Sequence, residues 1–199
     1  MPSREGEAAG SAADLQAGAI ARLGEGAQDS REAAAAELFA AGRELAESAT
    51  RSWRADAELA ALLGGGNPHI TVGVAVPPDA FARIRGACGS PRLAEVPQEL
   101  ETAEFELHLP RGVSLDILTT TNPGGAGAIA RFLAKFGQGI QQVEYRTTNV
   151  DRAARILNER FGVAAVYPEA RPGADGTSVN FFLVSSPAGR KVLIELYQR

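Results

Sequence analysis

The chain has 199 residues, enough for one domain with a real core or two small ones, and its 45% hydrophobic and 22% charged residues are ordinary for a globular protein. With 20 Lys+Arg against 24 Asp+Glu, the net charge of −4 argues against nucleic acid as the main partner, because phosphate binding needs a basic excess. No apolar run approaches the ~20 residues of a membrane helix. The single cysteine, Cys88, cannot form an intrachain disulfide, and the start Met1-Pro2-Ser3-Arg4-Glu5-Gly6-Glu7 lacks the basic-then-apolar order of a secretory signal. The expectation is a cytoplasmic protein that takes a small-molecule substrate and binds neither membrane nor nucleic acid.

Residues 1–29 are rich in Ala, Gly, Glu and Ser and carry few large apolar side chains (Leu15, Ile20, Leu23). They read as a mobile segment or a weak helix, because they bury too little to offset the entropy of ordering. Residues 30–66 form a helical extension. Asp29 or Ser30 can cap it, Leu38, Phe39, Leu45, Trp53, Leu59, Leu62 and Leu63 recur at roughly helical spacing, and Gly64-Gly65-Gly66-Asn67-Pro68 stops it. A dimer arm or a lid is one reading. A helix packed on its own domain is the preferred one.

From residue 67 the pattern changes to short strands. Ile70, Val72, Val74 and Val76 share one face of a strand that Pro77-Pro78 ends, and a helix follows from Asp79 to about Ala87. Phe105–Leu109 and Val113–Leu118 read as a hairpin around Pro110-Arg111-Gly112, and Ala126–Phe136 as a connecting helix. The order then repeats. Gln141–Thr147 is a strand, Asn149 caps a helix over Val150–Phe161 that ends at Gly162, and Val163–Tyr167 is a strand. Ser178–Ser185 and Lys191–Tyr197 close as a hairpin across Pro187-Ala188-Gly189. Asp79-Ala80-Phe81-Ala82-Arg83-Ile84 and Asp151-Arg152-Ala153-Ala154-Arg155-Ile156 fall at matching places in the two copies. An α+β domain of two tandem β-α-β-β-β units, about 69–120 and 139–199, is expected to curl into a half-open barrel around a central cleft, behind the helical extension.

The duplicated unit resembles the vicinal oxygen chelate superfamily of glyoxalases, bleomycin-resistance proteins and dioxygenases. The run Ile129-Ala130-Arg131-Phe132-Leu133-Ala134-Lys135-Phe136-Gly137-Gln138-Gly139-Ile140 is similar to its methylmalonyl-CoA epimerase-like members. So are Arg171-Pro172-Gly173-Ala174-Asp175-Gly176-Thr177 and Val192-Leu193-Ile194-Glu195-Leu196. The resemblance covers residues 69–199, and residues 1–68 lie outside it. It implies a divalent ion in the cleft, chelated by two substrate oxygens, and a metal-assisted isomerase or epimerase acting at a C–H next to a carbonyl, with an acyl-CoA thioester as one such substrate. A homodimer is also common in the superfamily.

Strand parity then assigns side chains to the cleft. Gln142, Glu144 and Arg146 face the concavity, while Val143, Tyr145 and Thr147 face the helices. The family's histidine of the second unit falls at Gln142, and that of the first unit falls at Thr71, two departures from the pattern. His69 shares the parity of Thr71. Glu195 sits at the family's carboxylate ligand and, inside an apolar strand, needs a metal, an arginine or donor hydrogen bonds. Asp116 is its pseudo-symmetric counterpart, and Glu99 is nearest the epimerase's glutamine ligand. The implied metal set is His69, Glu99, Gln142 and Glu195, an N/O set suited to Co, Mn, Mg or Fe. Glu195 and Asp116 are the groups to move the proton. Arg146, Glu144, Thr71 and Arg171, the last in a Gly-rich loop, are the substrate contacts. His108 reads as a surface residue and Cys88 as a small packing residue. Because the imidazoles are missing, a small-molecule-binding or metal-independent protein with a degenerate metal site is the alternative. A third reading has a vestigial cleft and an interaction role for the N-terminal helix.

Overall fold

The computed structural model describes residues 4–187 and 189–199, with side chains described from Ala13 onward. Met1-Pro2-Ser3, and Ala188 of the expected Pro187-Ala188-Gly189 turn, lie outside the described residues. The N-terminal third is helical, with α1 (Arg4–Glu25), α2 (Gln28–Thr50), a 3-10 turn (Arg51–Ala55) and α3 (Ala57–Leu62). Next come β1 (Ile70–Ala75), α4 (Pro78–Ala87), β2 (Thr102–Leu109), β3 (Val113–Thr120) and α5 (Ala128–Phe136). The second unit holds β4 (Gly139–Arg146), α6 (Val150–Phe161), β5 (Arg171–Pro172), β6 (Ser178–Ser185) and β7 (Lys191–Gln198).

All strands join one seven-stranded sheet in the order β2-β3-β1-β4-β7-β6-β5. Each unit pairs its first strand in parallel with its last (β1 with β3, β4 with β7), and the units meet antiparallel at β1 and β4. The registers match: Val72 lies beside Leu115 and Gly73 beside Asp116, while Val143 lies beside Ile194 and Glu144 beside Glu195. Gly73 is therefore the counterpart of Glu144, and Asp116 the counterpart of Glu195.

The helices form where local signals ask for them. In α6 the Asn149 side chain accepts from the Arg152 N–H at 2.8 Å, and Gly162 takes the left-handed conformation that ends the helix (φ 65°). The edge strand of the second unit is broken. Expected over Val163–Tyr167, it is reduced there to a bridge between Ala165 and Phe182, and pairing resumes only at Arg171–Pro172. Pro168 and Pro172 lack the N–H that a continuous ladder needs. In the first unit the equivalent segment is a coil held to β2 by the Ala94 N–H on Glu104 O, 3.0 Å.

One face of the sheet is covered by helices. Val72, Val74, Leu115, Ile117, Val143, Ile194 and Leu196 pack there against Leu38, Ala46, Trp53, Ile84, Ile156 and Leu157. α2 lies directly on β1 because Gly42 has no side chain. A Cβ there would meet the Val72 methyls at 2.5 and 2.6 Å. The extension thus packs on its own domain, as preferred from sequence, and it bends at Arg51–Ala55, where Asp56 restarts α3 by accepting from the Leu59 N–H at 2.9 Å. Of residues 1–29, read as a mobile segment or a weak helix, Arg4–Glu25 forms α1. Ala19, Ile20 and Leu23 are buried in the shared core, so α1 is ordered by its tertiary partners rather than by its own propensity.

The other face is concave. Its two ends are tied by Asp175, which takes two hydrogen bonds from Arg92 (2.6 and 3.1 Å) and one from the Glu95 N–H (2.9 Å). The Asp175 N–H in turn donates to Glu95 O at 2.9 Å. These bonds join the coil of the first unit to the 173–177 loop of the second. Among the described residues, no helix is long and apolar enough to cross a membrane.

Candidate functional site

The concave face encloses a cavity of about 650 Å³. Alternation along each strand decides what points into it. β2 contributes Glu104, Glu106 and His108, β3 contributes Asp116 and Leu118, β4 contributes Gln142 and Glu144, and β7 contributes Leu193, Glu195 and Tyr197. α5 closes one side with Ile129, which packs on Ala75 and Leu118. Val179 and Phe181 of β6 form an apolar wall.

Gln142 organises the centre. Its side-chain amide donates to Glu195 Oε2 at 2.6 Å and to Glu144 Oε1 at 3.1 Å. The hydrogen-bond donor that Glu195 requires is thus a neutral amide, and Arg146 is not its partner. Gln142 reaches this position across Gly73, where a Cβ would stand 2.5 Å from Gln142 Cγ. The bare surface of β1 is what makes room for it.

The acidic groups of the floor are held far from their ordinary state. Burial, reinforced by Glu106 and Asp175, pushes Glu104 up to about 7. Glu144 is pushed up to about 8, chiefly by burial, against the opposing Gln142 hydrogen bond. Burial, with repulsion from Glu104, Glu144, Glu195 and Glu106, holds Asp116 well above the carboxylate range. Glu195 is raised in the same way by burial, Glu144 and Glu104. Among the described residues no Lys, Arg or His forms an ion pair with Glu104, Asp116, Glu144 or Glu195. Carboxyl groups raised to between about 7 and 8 can exchange protons near neutral pH.

Two buried polar atoms among the described residues find no partner, Asp116 Oδ1 and Gln141 Oε1. Both residues line the cavity. The Asp116 orphan follows from the pseudo-symmetry: its counterpart Glu195 is served by Gln142, but the first unit has Thr71 at the matching position, too short to reach across. Gln141 enters the cleft through a bulge, since Gly73 pairs with Gln142 and Val74 with Ile140, leaving Gln141 unmatched. Simple alternation hides that residue. Glu104 and Glu106 were legible in the alternation of Glu104-Phe105-Glu106-Leu107-His108, which sets both on the face opposite the buried Phe105 and Leu107.

The expected site residues divide. Asp116, Gln142, Glu144 and Glu195 come together on the floor. Glu99 is exposed on a 3-10 turn (Gln98–Leu100) at the mouth, and Arg171 lies at the rim, stacked 4.4 Å over the Tyr167 ring. His69 is exposed ahead of β1 and does not line the cavity. Its carbonyl accepts from the Arg146 N–H at 3.2 Å. Arg146 has the expected parity but lies past the end of the cleft and is exposed. Thr71 is buried beside Glu144 without lining the cavity. His108, read as a surface residue, lies at the cleft edge, bonded to Ser114 Oγ (2.8 Å) and Glu106 (2.8 Å).

The residues present do not fit the divalent ion that the resemblance implies. Among the described residues no group of three or more His, Cys, Asp or Glu is placed to hold a metal. His69 is outside, Glu99 is at the mouth, and Gln142 turns its amide N–H groups, not the oxygen that would ligate an ion, toward Glu144 and Glu195.

No family model matches the sequence, and no curated protein does. Solved structures do. Methylmalonyl-CoA epimerase from Mycobacterium tuberculosis is 30% identical with a TM-score of 0.51, over 64% of this chain and 85% of that one. A methylmalonyl-CoA epimerase solved with methylmalonyl-CoA and NH4+ is 27% identical with a TM-score of 0.50, over 64% of this chain and 91% of that one. A hypothetical protein from Bacillus halodurans C-125, 23% identical with a TM-score of 0.52 over 65% and 91%, shares the fold. Matching registers in the two units, a sheet curled round one cleft and this likeness agree: the chain belongs to the vicinal oxygen chelate superfamily, among its methylmalonyl-CoA epimerase-like members.

Proposed function

We propose that the protein binds a small molecule in its central cleft and does so without the divalent ion of the superfamily's chelate chemistry. The observation that carries this reading is the Gln142 amide, which donates to both Glu195 and Glu144 where the resemblance places a metal-binding imidazole. Glu144, Glu195 and Asp116 then serve as recognition groups for the ligand, with Arg171 at the rim. Metal analysis of purified protein, followed by thermal unfolding in EDTA and in micromolar Mn, Co, Mg or Fe salts, tests it. Substoichiometric metal and an unchanged melting temperature are expected. One equivalent of bound metal, or stabilisation by micromolar metal, overturns it.

A second reading is favoured by Glu104 and Glu144, raised to about 7 and about 8 on one cleft floor. In it the protein is a metal-free isomerase that moves a proton at a carbon next to a carbonyl. The epimerase relatives solved with methylmalonyl-CoA and with 2-nitronate-propionyl-CoA suggest an acyl-CoA as the compound to try. Glu195 and Asp116, with Glu144, would carry the proton. Deuterium incorporation at the α-carbon of methylmalonyl-CoA in EDTA supports this reading, and none in prolonged incubation removes it. A homodimer and a cytoplasmic location are part of the same proposal, the first checked by light scattering and the second by cell fractionation.

A further inference from the structure

We infer that the ligand of the cleft is an organic cation, an amine that enters with its protonated nitrogen leading and donates to Asp116 Oδ1 and Gln141 Oε1. This deepens the small-molecule-binding reading and rests on it. Both unpartnered buried atoms among the described residues are oxygens, both residues line the same cavity, and an oxygen left without a donor is what an N–H group completes. Asp116 is 5% exposed, so water in bulk does not satisfy it. Around it stand Glu104 and Glu106 from β2, Glu144 from β4 and Glu195 from β7, all acidic.

The charges are arranged by depth. Arg131, Arg171 and Arg199 also line the cavity, but Arg131 and Arg199 are exposed and Arg171 is stacked on Tyr167, so these basic groups stand at the mouth while the buried Asp116 and Glu144 lie below. Arg92 is already neutralised by Asp175. An anionic ligand meets the arginines at the rim, whereas an ammonium group supplies the donors that Asp116 Oδ1 and Gln141 Oε1 lack among the described residues. Leu118, Ile129, Val179, Phe181 and Leu193 supply apolar contact for the body of the molecule. An ammonium group has three N–H donors that reach separate acceptors. It therefore tolerates the spacing of oxygens that leaves no set of three ligands for a metal ion. Burial that keeps Asp116 protonated when alone is offset once a positive charge lies against it.

The test uses the full chain and three aromatic probes of one shape, benzylamine, benzyl alcohol and benzoate, with magnesium and calcium chloride as inorganic controls, read by calorimetry and thermal shift at pH 7.5. Benzylamine is expected to bind at least tenfold more tightly than either counterpart, and Asp116→Asn is expected to abolish that preference while the protein stays folded by circular dichroism. Should Asp116→Asn fail to fold, the charge preference of the unaltered chain, together with its loss on N-acetylation of benzylamine, decides the matter. Tighter binding of benzyl alcohol or benzoate overturns the cationic assignment but leaves a small-molecule cleft standing. Saturation by magnesium or calcium overturns both readings in favour of a metal site. No binding by any probe overturns both, because it removes the cleft as a binding site for this class of molecule.

Discussion

Strands β1 and β4 occupy equivalent places in the two units and are adjacent in the sheet, yet they present opposite surfaces to the cleft. β4 offers Gln142 and Glu144, whereas β1 carries Thr71 and Gly73 at the matching positions, neither of which lines the cavity. The outer strands reverse the contrast. β2 is acidic at Glu104 and Glu106, and β6, which lies beside β7 as β2 lies beside β3, is apolar at Val179 and Phe181. A duplicated fold therefore need not keep a duplicated site. The blank surface of β1 lets the Gln142 side chain lie across it, and the same blankness leaves Asp116 without the amide that serves Glu195.

The contrast can be broken most strongly with pH. Glu104 and Glu144 keep their protons in the folded chain up to about 7 and about 8, while the unfolded chain releases them in the ordinary carboxylate range. Between those limits the unfolded state binds fewer protons, so stability falls as pH rises from roughly 4.5 towards 8. A loss of a few kcal/mol between pH 5 and pH 8 in urea unfolding is expected, with Glu144→Gln reducing it and Thr71→Val leaving it intact. A stability that is flat over this range would show that the floor is not buried as described.

Gly73→Ala attacks the contrast from the other strand. The added methyl stands 2.5 Å from Gln142 Cγ, so the side chain must leave its bond to Glu195. A cost of about 1–3 kcal/mol is expected, with ligand binding weakened alongside, and an unchanged urea midpoint counts against the close approach. A smaller effect, about 1 kcal/mol, is expected for Asp175→Ala, which removes the side-chain part of the tie between the two ends of the curled sheet. Proteolysis near residues 91–97 should accelerate in that variant. Smallest of all is Tyr145→Phe on the helix-covered face. It deletes a 3.3 Å contact with Thr50 Oγ1, for about 0.5–1 kcal/mol, and leaves the cleft unaffected.

Much of the fold was legible from local signals. Asn149 and Gly162 bracket α6, Pro77-Pro78 ends β1, and the apolar alternation of Ile70, Val72 and Val74 locates the core face. The order of α1 was not legible, because Ile20 and Leu23 are too few to hold a helix alone and become sufficient only against the rest of the core. In the site, parity placed Gln142 and Glu144 correctly but carried Arg146 too far along the strand, since alternation gives the face and not the depth.

By itself the sequence determined which residues can be strand or helix, that two similar units follow one another, and which side of each strand is polar. Those properties depend on neighbours a few residues apart, where spacing and backbone preference act directly. Only the tertiary structure decided that Gln141 turns inward at a bulge, that Gln142 reaches Glu195 from a distance of 53 residues in sequence, and that Asp116 is left without a donor. Each depends on the register between strands and on the space a distant residue leaves empty.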